Sequence, residues 1–484
     1  CGDRDAALAV IEADAGNLLA SLSPAELLQR LDRCPVEALQ RHPLAILVLM
    51  RRMFTWQQIP KMMELKALLE AAVAQHPEWP AAERGNLLGE CDLIQSFLFY
   101  NDITQMSRLH RSASRQMSRP AVTLRNSGSW TFGSPSVLMM YYRAPGELGK
   151  ELAEMYECMP HYYKITNGHG QGAELLMDAE AAYLQGAWEK AAVLLERARA
   201  DAAGQENMTL CCDFLALRLA LCGKGKEEYD FAAKRAALLQ KHDGVQVHLL
   251  ESIAAYFYAL QGRPEQAPEL FREHKLAEVS FFGPCRPMMS LIEQQVWLAQ
   301  GEYVKVIAHS EGLLRRCEAM HYGLVGLQAR IQLAAAQLRF GQRAEARAAL
   351  AAALLDAVQD DFWVLFVEQY PALAPLLEGE DWAVCEPRLG PFVARILPAG
   401  RAFAARLGLP APAPELPLTD RDRELARLVA GRCTNKEIAA ALYLSEGTVK
   451  QYINQLYAKL DMGGDPRTRR ARLAEWYQKN APRN

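Results

Sequence analysis

The sequence predicts an all-α protein in which an array of helical hairpins precedes a small C-terminal four-helix domain. Three observations predict this architecture. Glycines recur at intervals of 37 to 40 residues between apolar helical runs, a segment with four prolines in nine residues lies at 409–417, and two short, strongly capped helices are indicated within 434–460. Apart from short extended pieces, the sequence contains no convincing strand pattern.

The hairpin repeat is clearest over 174–356. Each of its glycines ends one apolar run, where a helix needs a left-handed C-terminal cap. An alanine five residues later allows the second helix to pack closely on the first. The glycines are Gly186, Gly223, Gly262, Gly301 and Gly341, and the alanines are Ala191, Ala267 and Ala346. Such pairs resemble tetratricopeptide repeats, although the period exceeds the usual one, and predict an α-solenoid over 1–396 that serves sensing and oligomerisation.

A proline-rich linker is predicted at 397–417, and its stiffest part, Leu409 to Pro417, would hold two domains apart in a polyproline conformation. The C-terminal domain is therefore expected at 418–484.

Two helix starts are indicated in this C-terminal domain. Thr434 is followed three residues later by Glu437, which is the pattern of a capping box, so a helix is expected to open at Asn435. Ser445 caps the next helix in the same way, with a hydrophobic staple between Leu444 and Val449. A preceding helix that opens at Thr419 and stops at Gly431 would complete a helix-turn-helix support.

The helix after Ser445 has one apolar stripe and one polar face. The stripe comprises Val449, Ile453, Leu456 and Leu460, and the outward face comprises Gly447, Gln451, Asn454 and Ala458, flanked by Thr448, Lys450 and Gln455. Gln and Asn pair with adenine and Lys donates to guanine or phosphate in the major groove. Phosphate contacts are expected from Lys436, Thr448 and Lys459.

These residues resemble the LuxR-type helix-turn-helix almost position for position. The match covers Leu418-Thr419, Glu424, Gly431, Thr434 to Ala439 and Ser445 to Lys450. The resemblance implies a wingless four-helix DNA-binding domain, dimerisation on a paired site, and base contacts from Lys450, Gln451, Tyr452 and Asn454. The sequence departs from the family at Tyr452, where His is usual, and at Gln455, where Asn is usual. The alternative is a helical hairpin that is capped twice and whose basic residues form a solvated face.

Charge divides the chain in the same way. Residues 418–484 hold 13 Lys and Arg against 8 Asp and Glu, a net of +5, whereas the preceding 417 residues carry a net of −8. A basic end faces phosphates, and an acidic body is repelled by them. The run from Arg467 to Arg472 leads into Trp476 and Tyr477, and this last helix is interpreted either as a phosphate and dimer contact or as a cover for the core.

Composition excludes several function classes. Eleven scattered cysteines without a Cys-x-x-Cys pair are typical of a reducing compartment, and no run approaches a membrane span, so a cytoplasmic location without a membrane partner is expected. The histidines form no metal-binding pattern, and no nucleophile elbow or dinucleotide-binding motif occurs. We therefore expect no metal site, no cofactor, no catalytic residues and no enzymatic activity.

The helical array and the LuxR-type end together resemble the MalT-like regulators. The nucleotide-binding module that those regulators carry upstream is missing, since no phosphate-binding loop motif occurs, and the chain is interpreted as a fragment of a longer protein or a shortened relative.

Aromatic, amide and imidazole groups concentrate between 119 and 172, where the repeat is weakest. This region predicts a pocket for a small organic ligand such as a sugar or an aromatic metabolite. Its residues are Trp130, Phe132, Tyr141, Tyr142, His161, Tyr162, Asn167 and His169. The alternative is that the aromatic residues are ordinary core between repeats.

The function expected from the sequence is a transcriptional regulator whose helical array senses a small-molecule inducer or a partner. Its C-terminal domain would bind double-stranded promoter DNA as a dimer or larger assembly, and would contact RNA polymerase if it activates. The competing function is a tetratricopeptide-like protein-interaction scaffold in which DNA binding is secondary.

Overall fold

The computed structural model describes residues 4–16, 18–124, 128–225, 228–241, 243–409, 420–460, 462 and 465–480. Within these ranges the chain is helical and contains no β-strand, which confirms the all-α prediction.

The helices of the first half are short and are joined mostly by tight turns. They are α1 (Arg4–Asp14), α2 (Pro24–Asp32), α3 (Val36–Gln40), α4 (Pro43–Thr55), α5 (Ile59–Gln75), α6 (Ala81–Ser96), α7 (Ile103–Gln116), α8 (Val137–Tyr141), α9 (Leu148–Thr166), α10 (Ala173–Leu184), α11 (Trp188–Asp201), α12 (Glu206–Leu221) and α13 (Phe231–Gln240).

The second half continues in the same manner. Its helices are α14 (Gly244–Leu260), α15 (Glu269–Arg272), α16 (Arg286–Gln300), α17 (Tyr303–Met320), α18 (Gly323–Arg339), α19 (Arg343–Ala357), α20 (Val364–Glu368), α21 (Tyr370–Leu377), α22 (Leu389–Arg406), α23 (Asp420–Ala430), α24 (Asn435–Leu442), α25 (Glu446–Lys459) and α26 (Pro466–Asn480). None of the helices in the described ranges combines the length and the apolar character that crossing a membrane requires.

The chain forms two compact units. The first comprises Cys1–Ala254, Pro268–Ser290 and Cys317–Val325, and the second comprises Ala255–Ala267, Leu291–Arg316 and Gly326–Asn484. In the first unit, consecutive helices pack on one another as pairs, namely α4 with α5, α6 with α7 and α10 with α11. This pairing agrees with the helical hairpins that the sequence predicts.

The repeat glycines adopt the backbone conformation that their role requires. All five have positive φ, from +69° at Gly262 to +90° at Gly341, which is the left-handed region that ends a helix at little cost only in glycine. The alanines that follow five residues later are buried; Ala191 and Ala346 are 0% exposed. The left-handed caps and the buried alanines that the sequence predicts are thus present at these positions, whereas a tetratricopeptide-like array stays a prediction.

One hairpin lacks its second helix. After Gly262 the chain forms a 3₁₀ turn, Pro264–Gln266, and then the four-residue helix α15. Pro264 and Pro268 explain the difference, because a proline has no amide hydrogen to continue the helical ladder and restricts the residue before it.

A helix also occupies the start of the predicted linker. Leu389–Arg406 is one helix that packs on α20 and α21 and buries Ile396 and Phe403. The first ten residues of the 397–417 segment are therefore helical, and residues 410–417 lie outside the described residues.

Candidate DNA-binding surface and ligand cavity

The C-terminal helices begin where the sequence predicts. Thr434 accepts a hydrogen bond from the Glu437 amide at 3.3 Å, and the Glu437 carboxylate accepts one from the Thr434 amide at 2.6 Å. This reciprocal pair is a capping box and opens α24. Ser445 Oγ accepts from the Thr448 amide at 3.1 Å and opens α25. Both caps are confirmed.

A small core holds α25 in place. Val449, Ile453 and Leu456 are buried against residues of α23, α24 and α26. Trp476 and Tyr477 of α26 pack on the edge of the same core, which favours the interpretation of the last helix as its cover. Because the apolar stripe is consumed by this core, the opposite face of α25 is turned outward.

The outward face consists of the polar residues that the sequence assigns to DNA. Lys450, Gln451 and Asn454 are exposed, and so are Gly447 and Ala458. No large apolar side chain interrupts this set, which we call the reading face. Its amides and ammonium group are the chemistry that recognises base edges in a major groove about 12 Å wide.

Tyr452 and Lys459 lie away from the reading face. Tyr452 is half-buried, with the Arg421 guanidinium 4.7 Å from its ring centre. Lys459 is only 5% exposed and donates to the Asp422 carboxylate at 2.6 Å. A lysine that is buried in an ion pair is not available to a phosphate, so we remove Lys459 from the expected phosphate contacts. The reason lies in α23, whose residues reach these side chains. The expected base contact of Tyr452 stays a prediction.

The other two expected phosphate contacts remain near the surface. Lys436 is exposed in the first turn of α24, and Thr448 is half-buried in the first turn of α25. The Thr448 hydroxyl shares a 2.7 Å hydrogen bond with Ser445. Both residues flank the helix starts, where backbone amides attract anions.

Two residues near the reading face were missed in the sequence. Tyr443 is 96% exposed and has a φ of +54°, and it forms the left-handed cap between α24 and α25. Arg470 donates to Asn435 Oδ1 at 3.0 Å and to the Cys433 carbonyl, so it ties α26 to the start of α24. The sequence offered one local signal for each residue. Tyr443 is an aromatic residue in a turn, and Arg470 belongs to a basic run.

The reading face adjoins another part of the second unit. Lys450, Gln451 and Asn454 line an open cleft of about 640 Å³ together with Gly341–Glu345, which comprises the turn after α18 and the first residues of α19. The rings of Phe340 and Tyr452 meet edge to face with centroids 6.2 Å apart. The reading face and these residues therefore lie on opposite sides of one open cleft.

The first unit contains a cavity of about 240 Å³ at the aromatic-rich segment. Four of the eight residues predicted for a ligand pocket line it: Trp130, Phe132, Tyr162 and His169. Further aromatic walls come from distant parts of the chain, namely Phe54, Phe97 and Phe282.

The other four predicted pocket residues lie elsewhere. Tyr141 and Tyr142 are buried core residues, and the Tyr141 ring packs on Trp130 at 5.4 Å. His161 contacts Ser114 Oγ at 3.3 Å between α9 and α7. Asn167 is exposed and provides the left-handed C-cap of α9. The core interpretation therefore holds for the two tyrosines. Trp130 and Phe132 line a cavity, and ligand binding there stays a prediction.

Trp130 is fixed by its surroundings. The Asn207 carboxamide accepts from the Trp130 amide at 3.1 Å and from the Thr131 amide at 3.2 Å. Gly170, with φ +74°, packs on the indole so closely that an added Cβ would lie 2.2 Å from the ring. This part of the cavity wall is thus held in place by its neighbours.

His169 is a neutral wall residue. Tyr162 Oη lies 2.7 Å from its Nδ1, and the Gly128 carbonyl lies 3.1 Å from its Nε2. Since the carbonyl can only accept, Nε2 carries the proton and Nδ1 accepts from Tyr162. Burial lowers the pKa of His169 to about 4, so the ring contributes no charge at neutral pH.

Two polar groups at the cavity were not predicted. Gln246 is 1% exposed and lines the cavity, and its Oε1 has no hydrogen-bond partner among the described residues. Arg51 lines both this cavity and an adjoining one of about 330 Å³, which also includes Arg52. Neither residue belongs to a local motif, so only the fold reveals them.

Within the described residues, no group of three or more His, Cys, Asp or Glu is placed to hold a metal ion.

Comparison with known proteins places the C-terminal module. Residues 416–468 match the family model of bacterial regulatory proteins of the luxR family. The chain is 41% identical over 75 residues to the uncharacterized transcriptional regulatory protein YvfU of Bacillus subtilis (strain 168), an alignment that covers 16% of this chain and 36% of that protein.

Two further transcriptional regulators match the chain over alignments of 65 and 46 residues. The chain is 42% identical over 65 residues to the DNA-binding transcriptional activator DevR/DosR of Mycobacterium tuberculosis (strain ATCC 25618 / H37Rv), covering 13% of this chain and 29% of that protein. It is 46% identical over 46 residues to the transcriptional regulatory protein DesR of Bacillus subtilis, covering 10% and 23%. The chain spans no more than 36% of the length of these relatives. No solved structure matches the chain, and its likeness to MalT and to tetratricopeptide repeats stays a prediction.

Proposed function

We propose that this chain, whose residues 416–468 form a LuxR-type DNA-binding domain, is a transcriptional regulator whose helical-repeat region controls promoter binding in response to a small molecule. The observation that carries the proposal is the reading face, since Lys450, Gln451 and Asn454 are exposed together on a helix whose other side is buried. A binding role, rather than catalysis, is proposed for the rest of the chain.

Helix α25 enters the major groove in this proposal. Gln451 and Asn454 pair with adenine through their amides, and Lys450 donates to guanine or to a phosphate. Lys436 and Thr448 contact phosphates and fix the position of the helix without selecting sequence. Two modules act together as a dimer, because helix-turn-helix proteins bind half-sites about one helical turn apart.

Control of DNA binding is supported by the cleft between the reading face and Gly341–Glu345. The base-reading side chains cannot meet DNA until this turn separates from them. The described arrangement is therefore the low-affinity state, and ligand binding shifts the population toward an open state. We further propose that the protein acts in the cytoplasm, and that an activating form also contacts RNA polymerase.

Measurements of DNA binding by the full chain test the proposed roles of the reading face and of the phosphate contacts. A preferred sequence is selected from random duplexes, and affinity is then measured by fluorescence anisotropy at several salt concentrations. Gln451→Ala and Asn454→Ala should each reduce the preference for the selected sequence by a factor that corresponds to about 1–3 kcal/mol. Lys436→Ala should weaken binding to all duplexes alike and reduce the salt dependence by about one counterion.

Lys150→Ala is the matched control, because Lys150 is 70% exposed and paired with Glu147 in the first unit. It should change neither affinity nor salt dependence. Binding without any salt dependence, or equal behaviour of Gln451→Ala and Lys436→Ala, would contradict the roles assigned here.

Phe340→Ala tests the covered state. Removing the ring that meets Tyr452 should weaken the contact and raise DNA affinity severalfold, whereas Phe99→Ala, at a surface position of the first unit, should not. An unchanged or lower affinity in Phe340→Ala would mean that the turn does not compete with DNA.

A further inference from the structure

Two neighbouring cavities at Trp130 have different linings. The first is walled by Phe54, Phe97, Trp130, Phe132 and Phe282. The second has Arg51, Thr55, Gly128 and Phe282 in common with it, so the two lie side by side as an aromatic end and a cationic end. Apolar rings with a few placed polar groups are the usual lining of a small-molecule site.

The aromatic end suits a flat ring. The Phe54 ring lies 5.6 Å from Phe97 and 6.4 Å from Phe132, and Phe132 lies 6.4 Å from Phe282, all with tilted or edge-on geometry. A further ring can continue such a cluster by edge or offset contacts. The volume of about 240 Å³ is sufficient, because an apolar cavity of roughly 150 Å³ already holds benzene.

A hydrogen-bond donor on the ligand is favoured at this end. Gln246 is buried at 1% exposure, and its Oε1 lacks a partner within the described residues. A buried acceptor without a partner costs free energy that a ligand hydroxyl or amino group would recover. Asp243, which also lines this end and accepts from the backbone N–H of Gln246 at 3.2 Å, adds negative charge. An acidic ligand group is therefore unfavourable here, and a donor is favoured.

The opposite end is cationic. Arg51 and Arg52 both line the adjoining cavity, whereas His169 is neutral. Arg52 donates to the Gly16 carbonyl at 3.0 Å and lies over the Trp56 ring at 5.5 Å, and in the described part of the chain it pairs with no carboxylate. Burial lowers its pKa, which reflects the cost of holding a guanidinium away from water. A carboxylate on the ligand would offset that cost by charge-assisted hydrogen bonds.

We infer that this cleft binds a small aromatic carboxylate that carries a hydroxyl or amino donor on the far side of its ring. The carboxylate lies toward Arg51 and Arg52, the ring lies among the phenylalanines and Trp130, and the donor reaches Gln246 Oε1. The inference rests on the proposed sensing function and names the chemical class of the signal.

Calorimetric titration of the full chain with three probes tests the class. The probes are 4-hydroxybenzoate, benzoate, which lacks the donor, and 4-hydroxybenzyl alcohol, which lacks the acid. The first should bind at least tenfold more tightly than either of the others. Equal affinity for all three, or no binding of any at millimolar concentration, would overturn the inference.

Two variants test which end of the site holds the carboxylate of the ligand and which end holds its hydrogen-bond donor. Arg52→Gln should weaken 4-hydroxybenzoate and benzoate about tenfold and leave the alcohol within twofold. Gln246→Leu should weaken 4-hydroxybenzoate and the alcohol but not benzoate. Arg108→Gln, at an exposed arginine of α7, is the control and should change nothing. Equal loss of all three probes in Arg52→Gln would show that Arg52 only holds the Gly16 loop, and Arg52→Lys, which keeps the charge, would then fail in the same way.

DNA affinity, measured in the same samples, separates this inference from the proposed function. Probe binding with the expected selectivity but no change in DNA affinity would retain the ligand class and refute sensing. DNA binding that follows the reading-face predictions, without binding of any probe, would retain the regulator and refute the ligand class.

Discussion

The DNA-binding module and the aromatic cleft are built in opposite ways. In the module, the residues that act lie within 436–454 and are exposed except for the half-buried Thr448, and a small core on the other side of the helix holds them. In the cleft, the residues that act lie between Arg51 and Phe282, and most are partly or fully buried. The module therefore depends on local helix signals, and the cleft depends on packing between segments that are far apart in the chain.

This difference determines how each region tolerates change. An exposed side chain on a helix can be replaced at little cost in stability, usually within about 0.5 kcal/mol. A buried group that has a specific partner cannot be replaced without a larger loss of stability. The following four predictions test that contrast between features decided by local helix signals and features decided by packing.

The largest effect is expected in the core of the module. Leu456 is 0% exposed in a cluster of few residues, so Leu456→Ala should destabilise the module by about 2–5 kcal/mol and abolish DNA binding. Hydrogen exchange of α24 and α25 amides, followed by mass spectrometry, measures it. Gln455→Ala on the same helix should leave exchange unchanged. Equal protection in both variants would mean that the module does not rely on this core.

The substitution of glycine by alanine should change the free energy of unfolding in opposite directions at two glycines. Gly170→Ala combines a φ of +74° with a clash against Trp130 and should cost about 3 kcal/mol. Gly447 lies in helix α25, and the nearest atom to an added Cβ is 3.7 Å away, so Gly447→Ala should stabilise the module by about 0.5–1 kcal/mol. Exchange measured separately for the two regions gives both values. Destabilisation at both glycines would remove the contrast.

Two glutamates should respond to pH in opposite directions. Burial raises the pKa of Glu180, which is 1% exposed, to about 7. Its neutral form therefore stabilises the fold fully below its ordinary pKa near 4.5, and this stabilisation is lost as pH rises through 7. Glu180→Gln keeps the neutral form, so at pH 8 the variant should be more stable than the wild type by up to roughly 3 kcal/mol, and near pH 4 it should be equal.

Glu437 is the counterpart in the module. Hydrogen bonds from Thr434 lower the pKa of its carboxyl, so its stabilising effect is present above the ordinary pKa and is lost as pH falls. Glu437→Gln should therefore reduce stability at pH 7, and the difference should vanish in acid. Denaturant titrations across pH measure both cases, and parallel profiles for the two variants would contradict these assignments.

The smallest effect should be the same in both regions. Thr434 in the module and Ser23 in the first unit each open a helix with a capping box. Thr434→Ala and Ser23→Ala should each cost about 1 kcal/mol, because a cap is a local interaction wherever it occurs. Thr434→Ser and Ser23→Thr, which keep a capping hydroxyl, should be as stable as the wild type. Local exchange of the first helical turn measures the loss, and a large difference between the two sites would show that tertiary contacts dominate the caps.

Much of the module was predictable because its determinants are close in sequence. The caps at Thr434 and Ser445, the buried stripe from Val449 to Leu456 and the exposed amides opposite it follow from helical periodicity alone. The prediction failed where another helix intervened. Lys459 has the composition of a phosphate contact, but Asp422 reaches it from α23, and no spacing within α25 reveals that ion pair.

The cleft was predictable only in part. Trp130, Phe132, Tyr162 and His169 stood out as an aromatic and imidazole cluster, and they line the cavity. Gln246 did not stand out, because a glutamine in an apolar helical run has no local signal of being buried without a partner.

The sequence by itself determined the helices of the module, their starts and the polar residues of the reading face, because hydrogen bonds and apolar spacing over three or four residues decide those features. The tertiary structure alone decided which charges are neutralised, which tyrosines are core and which distant residues meet Trp130. Those outcomes depend on burial and on segments that lie more than 200 residues apart in the chain, such as those of Arg51 and Phe282, which line one cavity. Desolvation acts on a group only once the folded chain has enclosed it.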